Sequence, residues 1–198
     1  MQLSGVFLAA ALAIAGMAAP GHAAPRVSEK TTYYAITGKT GMELLWDMSR
    51  RGPKHGFLSK ATALTTVNTT FKGDFIYQNG TCRTRNAAFV VSIVYTYPKP
   101  KTQLTGDLGR RWRSFYAELQ RHEQVHGRLA RQMAADVDRK LQVSARDTIG
   151  CKKTIARVKR EIDAIRRQHD KVQKAFDVKE HRDNGPVEKS VLRLIGKR

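Results

Sequence analysis

Phe115-Tyr116-Ala117-Glu118-Leu119-Gln120-Arg121-His122-Glu123-Gln124-Val125-His126 is the stretch on which the reading of this chain turns. Its apolar residues recur at steps of three and four, and the stripe runs on through Leu129, Met133 and Val137. Phe115, Leu119, His122 and His126 therefore share the inward face of an amphipathic helix. Two histidines four apart project from that face one turn from each other, so their imidazole nitrogens can converge on a single tetrahedral Zn²⁺. Glu123, inside the pattern H-E-x-x-H, is placed to reach a metal-bound water. The expectation is that His122 and His126 are metal ligands and that Glu123 is a general base.

Outward from this stretch, the 3.6-residue period holds from about Thr105 to Val143, giving one long helix or two closely spaced ones. Gly150 breaks the pattern, and Ile155, Val158, Ile162, Ile165, Val172 and Phe176 restore it from Thr154 to about Lys179. On the N-terminal side, Thr31 to Thr37 reads as a strand that stops at Gly38, and residues 41 to 50 read as a short helix ended by Arg51-Gly52-Pro53. The segments Ala61 to Tyr77 and Arg85 to Tyr97 are rich in Thr, Val, Ile, Phe and Tyr and flank Gln78-Asn79-Gly80-Thr81. That is the signature of a long antiparallel hairpin, with Pro98 and Pro100 ending it. The expected architecture is α+β and zincin-like, a small antiparallel sheet packed against two long C-terminal helices.

The chain has 198 residues, enough for one domain with extensions. Residues 1–23 hold no Lys, Arg, Asp or Glu, contain the apolar run Val6 to Ala15, and end in small residues. They read as a secretory signal peptide cleaved after Ala23, and no later segment is apolar for the ~20 residues a spanning helix needs. The domain is expected over 24–182, with a basic tail over 183–198 and a periplasmic or secreted location. In an oxidising compartment the two cysteines, Cys82 and Cys151, are expected to form one disulfide.

Against 17 Asp plus Glu stand 36 Lys plus Arg, a formal charge of +19. Such a surface suits an anionic cell-envelope polymer. A specific nucleic-acid partner is not expected, because no helix-turn-helix, zinc-finger or stacking-aromatic pattern accompanies the charge.

The order Tyr34-x-Ile36-Thr37-Gly38-Lys39-Thr40, Leu44, Arg51-Gly52-Pro53, Gly80-Thr81-Cys82, Pro98, Trp112 and His122-Glu123-x-x-His126 resembles a bacterial family of secreted, predicted zinc-dependent proteases, catalogued as a domain of unknown function. The resemblance covers roughly residues 31 to 182. It implies a zinc metallopeptidase. The family also carries an aromatic-Asp pair followed by a histidine near the end of its last helix. Phe176-Asp177 and His181 resemble that, with the spacing one short and Arg182 standing where the histidine is expected.

A catalytic zinc needs three protein ligands and an open position. Leu129 and Gln132 stand where the extended metzincin motif has Gly and His, so the third ligand lies elsewhere. Asp136 and Asp138 are too far along the same rigid helix, over ~15 Å from His126. His181 is taken as the third ligand, with Asp177, Glu180, His169 and Glu161 as alternatives on the last helix. Tyr116 is a geometric candidate for an oxyanion donor. The competing reading is a non-catalytic envelope protein with a structural, four-ligand zinc.

Overall fold

The computed structural model describes residues 25–55 and 59–197, and the expected signal peptide lies outside them. β1 (Arg26–Ile36) leads into α1 (Gly41–Arg51) through a tightly bonded joint. The Thr40 hydroxyl accepts the Glu43 N–H at 3.2 Å while the Glu43 carboxylate accepts the Lys39 N–H at 2.7 Å, a reciprocal cap. Asp47, buried on α1, accepts the Thr37 N–H at 2.8 Å and the guanidinium groups of Arg50 and Arg51. Much of the Ile36–Thr40 run, together with Arg51, thus serves to lock α1 onto the end of β1.

β2 (Lys54–His55) and β3 (Ser59–Lys60) pair as a short antiparallel ribbon before the long hairpin of β4 (Leu64–Gln78) and β5 (Thr81–Pro100). The hairpin turns at Asn79 and Gly80, both left-handed with φ of 50° and 72°, as a two-residue loop matched to strand twist requires.

The sheet is mixed rather than antiparallel. Its order is β1-β5-β4, and β1 runs parallel to β5 from Arg26 opposite Val90 to Ile36 opposite Pro100. Alternation shows which side chains point inward but not which way a neighbouring strand runs, so this pairing was hidden from the sequence. Pro98 and Pro100 lie within β5, beyond Thr96, where pairing with β4 ends at Leu64. Their missing N–H groups fall on that vacated side.

Phe89, Val91, Ile93, Tyr95 and Tyr97 form the buried face of β5. α2 (Gly106–Leu141) lies across it, burying Phe115, Leu119, Ala130, Met133, Ala134 and Val137. The approach is closest at Gly127, where a Cβ would stand 1.9 Å from the Tyr95 hydroxyl. A residue with any side chain there would force either the Tyr95 ring or the helix just after His126 to move.

β6 (Ser144–Arg146) pairs with the start of β5, and α3 (Lys152–His181) runs back along α2. Lys140 with Glu161, His126 with Gln173 and Arg121 with Glu180 establish that the two helices are antiparallel. The Cys82–Cys151 disulfide, with Cα atoms 5.3 Å apart, ties the start of β5 to the N-terminus of α3.

The residues expected as a basic tail instead form α4 (Pro186–Ile195). Leu194 is fully buried, Ser190 nearly so, and the Leu194 carbonyl accepts Arg111 of α2 at 2.6 Å. Proline in its first turn and left-handed Gly196 at its end give the segment ordinary helix boundaries. Among the described residues no helix is long and apolar enough to cross a membrane.

Candidate metal centre

His122 and His126 stand near the middle of α2, where the helix is held between the sheet and α3. The Nε2 atoms of the two rings are 3.1 Å apart. Asp177 Oδ1, reaching across from α3, lies 3.0 Å from His126 Nε2 and 3.5 Å from His122 Nε2. Three ligands held tetrahedrally at 2.0–2.1 Å from one zinc ion are about 3.4 Å from each other. The observed triangle fits that requirement. These three are the only group of His, Cys, Asp or Glu ligand atoms so gathered among the described residues.

Electrostatics support the same use. Burial, with the neighbouring His126, His181 and Arg121, pushes His122 down to about 3, so it stays neutral and presents a lone pair at neutral pH. Its Nδ1 is buried without a hydrogen-bond partner, and the nearest carboxylate oxygen, Glu180 Oε2, is 3.8 Å away. Phe176 packs against both rings at 5.0 and 5.2 Å between centroids, giving the pair an apolar wall.

Glu123 stands outside the ligand triangle. It is 5 % exposed, and its Oε2 accepts the Thr65 hydroxyl from β4 at 2.6 Å. The same hydroxyl lies 3.1 Å from the Glu123 carbonyl. Burial raises the Glu123 pKa above the ordinary carboxylate range, with the nearby Asp177 charge adding to it and the Thr65 hydrogen bond and His126 opposing it. A carboxylate so tuned is better matched to taking and returning a proton near neutrality.

A cleft of about 470 Å³ opens over these groups. Its walls are the segment Lys60 to Thr65 with Val67, one face of α2 from Phe115 and Leu119 to His122, Glu123 and His126, the α3 residues Gln173, Asp177 and His181, and Val187, Ser190 and Val191 of α4.

Asp177 rather than His181 therefore completes the converging set. Because α3 descends against α2, Asp177 is level with both histidines, whereas His181 is one turn further on and exposed. The His181 ring is 5.4 Å from that of His122 and lines the cleft. Glu180 is paired with Arg121, Glu161 with Arg157 and Lys140, and His169 bonds to Gln173. Asp136 pairs with Arg139, and Asp138 faces the Phe89 N–H at 3.4 Å. Tyr116 packs on Tyr97 and Trp112 and is no part of the cleft.

Sequence reasoning missed Thr65, Gln173 and the α4 wall. Gln173 carries a signal, since it precedes Asp177 by four residues and shares its helix face. Thr65 carries none, being one of many threonines in a strand.

A family model described as "Bacterial protein of unknown function (DUF922)" matches residues 31–185. The chain belongs to this family. No curated protein and no solved structure matches it. The DUF922 region contains the whole converging set, Glu123 and Thr65, but the family description assigns no chemistry to them.

Proposed function

We propose that this chain is an exported zinc-dependent peptidase, with His122, His126 and Asp177 holding the metal and Glu123 acting as general base. The observation that carries the proposal is the convergence of three ligand atoms at the floor of an open cleft, with a buried, non-ligating carboxylate beside them. When bound, Zn²⁺ lowers the pKa of its water towards 7 and polarises a carbonyl oxygen.

Glu123 takes a proton from the attacking water as the hydroxyl oxygen adds to the scissile carbonyl carbon. It then passes that proton to the amide nitrogen as the C–N bond breaks. Thr65 holds one carboxylate oxygen of Glu123, which leaves the other free for the proton. Two histidines and a carboxylate also suit iron(II). The buried Glu123 outside the set is the part that hydrolysis needs and oxygen chemistry does not.

An acidic or wall-derived peptide would complement the net charge of +19. The competing reading, a structural zinc in a basic envelope-binding protein, draws on His181, whose ring is close enough to His122 to move in as a fourth ligand.

A peptide-library digest with the zinc-loaded protein separates the two. Glu123→Gln is expected to keep its zinc and lose at least ~10²-fold in hydrolysis, the scale of a positioned proton transfer. No cleavage by the parent, together with four protein ligands by X-ray absorption, would favour the structural reading. Cleavage by Glu123→Gln at the parent rate with zinc bound would refute the mechanism.

A further inference from the structure

α3 brings more than Asp177 to the histidines. Gln173, Asp177 and Glu180 follow one another at steps of four and three, so all three face α2 on one stripe. Gln173 Oε1 meets His126 Nδ1. The Gln173 amide nitrogen points the other way, 3.4 Å from the His126 carbonyl and 2.9 Å from His169 Nε2.

These contacts settle the orientation of the Gln173 amide. Turned over, it would set its oxygen against the His126 carbonyl, two acceptors facing each other. With the oxygen towards His126, that ring must donate from Nδ1, and Nε2 is the atom that faces Asp177 Oδ1 and His122 Nε2. His169 extends the chain by accepting at Nε2, with its Nδ1 3.6 Å from Asp170.

We propose that Gln173 is a positioning residue that fixes the tautomer and ring angle of His126 as a metal ligand, with His169 behind it holding the Gln173 amide. The inference rests on the metal-site reading above, although the proton at Nδ1 belongs to the protein without metal as well. An acceptor behind a ligating imidazole raises its basicity and restrains its rotation, and loss of such a partner typically weakens metal affinity 10–100-fold. A glutamine does this without adding negative charge beside Asp177 and Glu123, so the set keeps the charge of a single ligating carboxylate.

The test has two arms. Long-range ¹H–¹⁵N spectra of the metal-free protein should show His126 protonated at Nδ1, the atom facing Gln173, and Gln173→Leu should shift the ring towards the form protonated at Nε2 alone, which the Asp177 carboxylate favours. Zn²⁺ affinity, measured by chelator competition, should fall 10–100-fold in Gln173→Leu and stay at or above the parent value in Gln173→Glu, which retains the acceptor.

A His126 without a proton at Nδ1 in the parent would overturn the proposal. So would unchanged affinity in Gln173→Leu, or equal losses in Leu and Glu, which would make the role packing alone. If the parent binds no zinc, the metal reading fails by itself, and the tautomer spectra still decide what Gln173 does.

Discussion

Gly127 follows the second histidine of the motif, and its lack of a side chain lets α2 settle onto Tyr95. An alanine there would drive its methyl group into the Tyr95 hydroxyl, which itself donates to Glu29 at 3.1 Å. Gly127→Ala is expected to cost about 1–3 kcal/mol, as other overpacked cores do, read as a lower urea midpoint. Unchanged stability would mean that the helix has room to rise. Asp47 works at the opposite end of the core. The Thr37 N–H and the guanidinium of Arg51 hold its carboxyl well below the ordinary range. A carboxyl depressed in the folded state stabilises it above the unfolded pKa, near 4, and loses that effect as pH falls through the folded value. Asp47→Asn should therefore be less stable than the parent at pH 6, with the gap closing as the pH drops below about 4. Thermal melts across that range check it, and a gap constant with pH would contradict it.

At the scale of elements, α2 and α3 were legible because each carries a long amphipathic stripe, and they begin and end within a few residues of the expected limits. The hairpin was legible from Asn79-Gly80. β1 beside β5 was not, because a parallel neighbour leaves no mark on alternation. α4 was not read as structure because its apolar residues, Val187, Val191 and Leu194, span under three turns and sit among basic residues. In the candidate site, the juxtaposition of His122, Glu123 and His126 followed from spacing within one helix. Which α3 side chain meets the two histidines depended on the register of α3 against α2, which sequence alone does not fix. That register is tied at one end by the Cys82–Cys151 bond, which spans 69 residues. Replacing both cysteines by serine should cost roughly 4 kcal/mol in the chain-entropy account, measured by urea unfolding of the oxidised parent against the double variant. A loss under about 1 kcal/mol would show that helix packing alone sets the register.

Over the whole molecule, a mixed sheet carries α2 on one face, and α3 and α4 close around the exposed end of the motif, so that four separate segments wall one cleft. α3 also carries Lys153, Arg160, Arg167, Lys171 and Lys174, all exposed. We propose that this scaffold holds one metal ion between α2 and α3. The most direct test is the zinc stoichiometry of the disulfide-intact protein after dialysis against zinc-replete, chelator-free buffer, with Asp177→Ala beside it. One Zn²⁺ per chain in the parent, and a large loss of bound zinc in Asp177→Ala, is the predicted result. No zinc in the parent, or full zinc in Asp177→Ala, would contradict the account.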